Sequence, residues 1–147
     1  MNIAELRIRN LVTIDNPNAW PDLKGVPMIV TGISTRVNIP DFPKSNGGVT
    51  LERGYDTYSQ FNEFIKPIPI TEDWLQRANA HQPPARRDFF RLSGMLLVLN
   101  PDGPGAEPSD INVHIGVTGQ YITTLKYVHQ LQNLYFAIKG TELEFNL

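Results

Sequence analysis

The chain has no cysteine, which excludes disulfides and thiolate metal sites and fits a reducing compartment. Long apolar runs are missing too. The strongest, Met95-Leu96-Leu97-Val98-Leu99, falls far short of the ~20 residues that a membrane-spanning helix needs. There is no excess of positive charge: 13 Lys and Arg stand against 15 Asp and Glu, for a net charge of −2. Nothing global therefore draws the chain to nucleic acid or to an anionic membrane, neither is an expected partner, and any anion site must be local. The segment Met1-Asn2-Ile3-Ala4-Glu5-Leu6-Arg7 lacks the continuous apolar core of a secretory signal, so the expected location is the cytoplasm. Also absent are a Gly-x-Ser-x-Gly elbow, a Walker loop and a dinucleotide fingerprint. Gly103-Pro104-Gly105 cannot substitute for a phosphate loop, because proline has no N–H to donate.

What is present suits a folded domain. Hydrophobic residues make up 41% and charged residues 19% of 147 residues, far from the composition of disordered chains. A chain of this length buries roughly 68–70% of its unfolded surface without staples, and one domain over 1–147 is the expectation.

Apolar residues alternate from Leu6 to Ile14, the period of a half-buried strand. Asn16-Pro17-Asn18 and Trp20-Pro21-Asp22 break it. Val26 to Arg36 is a second strand-rich stretch with Gly32 as a bulge or kink, and Pro40, Pro43 and Ser45-Asn46-Gly47-Gly48 mark a loop. Val49 to Tyr55 and Tyr58 to Ile65 read as two more strands, and Pro67-Ile68-Pro69-Ile70 as an extended connector. The first half is thus an antiparallel meander, partly barrel-like. Thr71-Glu72-Asp73-Trp74-Leu75 opens a helix, with threonine as N-cap and two acids on the helix dipole, expected over about 71–80. Arg87 to Leu92 and Met95 to Leu99 read as strands around a Ser93-Gly94 turn, and Asn100 to Asp110 as a loop. Ile111 to Ile115 and Gln120 to Thr124 form a hairpin across Gly116 to Gly119. A second helix is expected over about 127–139, stopped by Gly140, with a short terminal strand from Glu142 to Phe145. No repeat is visible. The order of elements predicts a β-rich α+β fold with two helices.

Three stretches carry a resemblance: Leu6-Arg7-Ile8-Arg9-Asn10-Leu11-Val12, Pro67-Ile68-Pro69-Ile70-Thr71-Glu72-Asp73-Trp74-Leu75, and Tyr127-Val128-His129-Gln130-Leu131-Gln132-Asn133-Leu134-Tyr135-Phe136-Ala137. Together they resemble a group of small uncharacterised proteins from Bacteroidota genomes and their phages, over the whole length of the chain. In that group a glycine usually stands where this chain has Arg9. The resemblance implies a phage or prophage setting and no particular activity.

His81, His114 and His129 share no ligand spacing, so neither a metal nor another cofactor is expected. The most distinctive local chemistry is Arg86-Arg87-Asp88-Phe89-Phe90-Arg91. In a strand, Arg87, Phe89 and Arg91 share one face, where a ring between two guanidinium groups can stack a base and hold a phosphate. The plain alternative is an ordinary surface whose arginines pair with acids and cover Phe89. On the second helix Val128, Leu131, Leu134, Tyr135 and Ile138 form the core stripe, while His129, Gln132, Asn133 and Phe136 form a second stripe suited to a partner or to another copy. That stripe equally suits packing under a loop.

These readings favour a non-catalytic binding protein, oligomeric, that sequesters a nucleotide-like signal of host defence. One alternative is a protein-protein inhibitor or structural accessory that works through the second helix on a host protein. Another is a phosphodiesterase or nuclease whose ligands assemble only in space.

Overall fold

The structure, a computed structural model, describes residues 3–16, 18, 20–34, 47–99, 110–116 and 118–147. The expected loop residues Pro40, Pro43, Ser45 and Asn46, and Asn100 to Ser109, lie outside the described residues, as do Pro17 and Val117. The fold is α+β, with two antiparallel sheets and two α-helices among the described residues, in two compact units, Met1–Ile68 and Pro69–Leu147.

Among the described residues, the first unit holds five strands: β1 Leu11–Ile14, β2 Met28–Ser34, β3 Gly48–Arg53, β4 Asp56–Phe61 and β5 Ile65–Lys66. Their order in the sheet is β4-β3-β2-β1-β5. The two edge strands are joined by only Asn62–Phe64, one 3-10 turn. A flat sheet would hold its edges four spacings apart, roughly 19 Å, whereas three residues of 3-10 helix advance roughly 6 Å. The sheet therefore curls, which gives the half-barrel that the meander suggested. Val12, Ile14, Met28, Val30, Val49, Leu51 and Ile65 fill its inner side. Gly32 has a specific reason. The register passes from Val30↔Leu51 to Gly32↔Thr50 and leaves Thr31 as the extra residue of a bulge. A Cβ at position 32 would lie 3.1 Å from both Cβ and Oγ1 of Thr50.

The strand expected over Leu6 to Ile14 is shorter than its alternation implied. Arg9 takes φ 75, outside the extended region of a regular strand, and Ile8 is exposed. The segment before Leu11 is held as a turn instead. The Asn10 side-chain oxygen accepts from the Arg7 N–H at 2.7 Å, and the Arg9 N–H donates to the Val30 carbonyl at 2.7 Å.

The second unit contains helix α1 Glu72–Arg77, then β6 Phe89–Leu92, β7 Met95–Leu99, β8 Ile111–Ile115 and β9 Gln120–Leu125, then helix α2 Val128–Lys139. Thr71 caps α1 as expected, its side chain accepting from the Trp74 N–H at 3.4 Å. The helix stops before Ala80 because Asn79 turns to φ 57. The Ala80 N–H then donates to the Leu75 carbonyl at 3.0 Å and the Asn79 N–H to the Gln76 carbonyl at 2.9 Å, the paired bonds of a Schellman ending. The sheet is a meander in sequence order, β6-β7-β8-β9. Ser93 at φ 48 and Gly94 at φ 86 make the β6–β7 turn, the left-handed pair that a type I′ hairpin needs. Phe90, Leu92, Met95, Leu97, Ile111, Val113 and Leu125 are buried on one side of this sheet, and Val128 and Leu131 of α2 are buried too. Gly140 ends α2 at φ 70, its N–H donating to the Phe136 carbonyl at 2.8 Å.

No strand forms over Glu142 to Phe145. That segment docks on α1: the Asn146 N–H donates to the Arg77 carbonyl at 3.0 Å, and the Phe145 ring meets Trp74 edge-on at 5.3 Å. Side-chain anchoring by Trp74 takes the place of the expected sheet pairing.

Candidate functional site

The outer side of the four-stranded sheet collects the chemistry. Residues paired directly across strands share a face. The register runs Arg91↔Leu96, Leu96↔His114 and His114↔Tyr121, and beside it Phe89↔Val98, Val98↔Asn112 and Asn112↔Thr124. Two rows thus cross the sheet on the side opposite Phe90, Leu97 and Val113. Every member of both rows is half-buried or exposed.

Of the three residues expected to form the binding face, Phe89 and Arg91 lie on this side of β6. Arg87 does not share the strand. The chain turns through residues 84–88: Arg86 N–H donates to the Pro83 carbonyl at 3.1 Å, and Phe89 N–H to the Arg86 carbonyl at 3.2 Å. Gln82 Nε2 holds the Arg87 carbonyl at 2.6 Å. β6 therefore begins at Phe89, and strand alternation does not reach Arg87.

A different arginine meets the ring. The Arg86 guanidinium carbon lies 3.8 Å from the Phe89 centroid, a cation–π stack, and its Nε is 3.9 Å from Asp88 Oδ1. With the Arg86 side chain 61% exposed, that stack contributes about 0.5–1 kcal/mol. The plain alternative of an arginine covering Phe89 and pairing with an acid is thus present, through Arg86. Among the described residues, the Arg87 and Arg91 guanidinium groups take part in no ion pair. Both are exposed. Arg91 is fixed by its backbone, which exchanges bonds with His81 at 2.8 and 2.9 Å, and so its side chain projects from a braced position.

The far end of the face is aromatic and polar. His114 Nδ1 is 2.9 Å from the Gly119 carbonyl, and the ring meets Tyr121 edge-on at 5.7 Å. The Tyr121 hydroxyl shares a hydrogen bond with Thr124 Oγ1 at 3.0 Å, and Thr124 Oγ1 donates to Asn112 Oδ1 at 2.6 Å. Because Thr124 lies along the same strand, this bond ties the Tyr121 hydroxyl to β9. The ring is 54% exposed. The face can therefore offer guanidinium groups for an anion at β6 and a ring for stacking at β9, with Leu96 and Val98 as an apolar floor between them.

The stripe expected on α2 does not form one surface. His129 is 0% exposed and Gln132 is 2% exposed, whereas Asn133 is half-buried and Phe136 is exposed. His129 lies parallel to Tyr127, ring centroids 5.8 Å apart. The first two turns of α2 are enclosed on both sides, so a helical wheel that assigns one face to the core and the other to a partner fails there. Toward the end of the helix both stripes emerge, with Phe136 and Ile138 exposed.

Arg86, His114 and Tyr121 belong to the face without having been singled out for it in the sequence. The hairpin turns carried a usable signal. Counting outward from Gly116 to Gly119 sets His114 against Tyr121, and counting from Ser93-Gly94 sets Arg91 against Leu96.

Among the described residues, no group of three or more His, Asp or Glu side chains gathers as for a metal ion. No described helix is long and apolar enough to cross a membrane. Compared with known proteins, the chain matches no protein family, no curated protein and no solved structure.

Proposed function

We propose that the protein is a non-catalytic binding protein that takes a small phosphorylated, base-containing ligand on the outer face of the β6–β9 sheet. One observation carries this reading: the strand register gathers Phe89 with its Arg86 stack, Arg91, His114 and Tyr121 on one accessible side. Arg87 and Arg91, in no ion pair among the described residues, are the phosphate donors in this account. Hydrogen bonds to charged groups contribute roughly 1.5–3 kcal/mol each, and a base stacked on an aromatic ring roughly 1–3 kcal/mol. A phage setting, and sequestration of a nucleotide-like host-defence signal in the host cytoplasm, extend the same proposal on the strength of the family resemblance alone.

Calorimetry with nucleotides at two salt concentrations tests the assignment. Arg87→Gln and Arg91→Gln are expected to weaken binding and flatten its salt dependence, because screening acts on the charged contacts. Phe89→Ala should weaken binding with the salt slope nearly unchanged. Binding that is indifferent to all three substitutions would remove the ligand from this face.

A second reading, a protein-protein inhibitor or accessory acting through α2, draws support from the exposed Phe136 and Ile138. Loss of complex formation with a host protein on Phe136→Asp, with the nucleotide panel silent, is the result that would favour it.

A further inference from the structure

The binding face has two aromatic stations at opposite edges of one sheet, and their separation limits what can occupy both. Phe89 lies on β6 and Tyr121 on β9, with β7 and β8 between them. Three interstrand spacings, with an offset of two residues along the strands because the two lie in different rows, set them roughly 16 Å apart. Stacked neighbouring bases are only ~3.4 Å apart. One base cannot reach both stations, and two bases that reach both must be splayed rather than stacked on each other, the arrangement in which single nucleotides are usually read.

The stations are also equipped differently. At β6 the Arg86 guanidinium already lies over the Phe89 ring at 3.8 Å, so a base added there stacks on the guanidinium and extends an existing pile. At β9 the Tyr121 ring is held by its hydroxyl bond to Thr124 at 3.0 Å and is 54% exposed. The floor between the stations, Leu96 and Val98 with Asn112 and His114, carries no acidic side chain and suits a sugar–phosphate link passing over it. Among the described residues of this face, the guanidinium groups stand at the β6 end, and Lys126, just beyond β9, is paired with Asp110 at 3.5 Å.

Charge sets the upper bound on length. Three arginines, Arg86, Arg87 and Arg91, serve the site in a chain whose net charge is −2. Each further phosphate of a long strand would meet no matching cation, and affinity for long strands depends on just such matching.

We infer that the ligand of this face is a dinucleotide, linear or cyclic, with one base on the Arg86–Phe89 stack and the other on Tyr121. The inference rests on the reading of the face as a nucleotide site. The test is calorimetry with a mononucleotide series, linear and cyclic dinucleotides and a decanucleotide, on the unmodified protein and on Tyr121→Ala. Tyr121 is exposed, so its loss leaves the core intact, and circular dichroism checks this. A second stacked base is expected to make the best dinucleotide bind roughly tenfold or more tighter than the corresponding mononucleotide. Tyr121→Ala should erase that advantage, bringing the affinity of the best dinucleotide down to that of the corresponding mononucleotide. Mononucleotides that bind as tightly as dinucleotides would overturn the two-base ligand while leaving the nucleotide site standing. Affinity that climbs tenfold or more from dinucleotide to decanucleotide would overturn the short ligand in favour of a single strand. No binding by any of them would overturn both the inference and the nucleotide site.

Discussion

Arg9 offers a sharp test of the backbone account, because it is an arginine in a conformation that favours glycine. Its φ of 75 sits in the left-handed region, where a Cβ costs roughly 1–2 kcal/mol relative to ordinary backbone. Glycine there removes that cost but adds roughly 0.5–1 kcal/mol of chain entropy lost on folding. The N–H that donates to Val30 at 2.7 Å is kept by either residue, and the Arg9 side chain is exposed. The informative comparison is therefore Arg9→Gly against Arg9→Ala, which differ only in the Cβ. Glycine should be the more stable by about 1 kcal/mol, or roughly 2–4 °C in melting temperature for a chain of this size. The same pair at Gln76, an exposed position inside α1, should give the opposite sign, with alanine ahead by about 1 kcal/mol. Urea denaturation monitored by tryptophan fluorescence reads both differences, provided the m values agree. If Arg9→Ala matched or exceeded Arg9→Gly, position 9 would not be left-handed and the turn before β1 would be wrong.

Three further substitutions probe other parts of the fold. Thr71→Ala should cost about 0.5 kcal/mol, the low end of the usual range for a lost N-cap, since its bond to the Trp74 N–H is long at 3.4 Å; an unchanged denaturation midpoint would show that Thr71 does not cap α1. Phe90→Ala removes a ring that is 0% exposed and should cost about 3–5 kcal/mol, read by the same denaturation; a cost under 1 kcal/mol would place position 90 outside the core. Trp74→Ala should release the terminal segment that Phe145 anchors, seen as faster carboxypeptidase trimming of residues 143–147 with little loss of global stability. Unchanged trimming would show that the hydrogen bonds of Asn146 hold the segment without the ring.

Local rules recovered the elements whose causes are local. Thr71 with its acids, Ser93-Gly94, Gly116 to Gly119 and Gly140 are each set by neighbours in sequence, and each lies where its chemistry implied. The failures share a different origin. Alternation from Leu6 to Ile14 looked continuous because period two does not register a single left-handed residue, and Arg9 is not a residue type that announces one. Asn79 ended α1 early for the same kind of reason, although asparagine is the commonest substitute for glycine at that position. On α2, burial of His129 and Gln132 depends on what surrounds the helix, which periodicity within the helix cannot report.

The candidate face was legible in part. Phe89 and Arg91 were visible as a motif, but the arginine that meets the Phe89 ring is Arg86, because the turn after Pro83-Pro84 delays the strand by two residues and leaves Arg87 outside it. His114 and Tyr121 were within reach of hairpin arithmetic. Their meeting with Arg91 was not, since the β7–β8 register crosses the segment between Leu99 and Ile111, whose length in sequence says nothing of how those strands align.

The most direct test of the binding face is a map of where a ligand touches. Amide chemical shifts of the 15N-labelled protein, followed as a dinucleotide is added, should move at Phe89, Arg91, His114, Tyr121 and Thr124 and stay still on β1 to β5. Shifts confined to α2 or to the first sheet, or no shifts at millimolar ligand, would contradict the account.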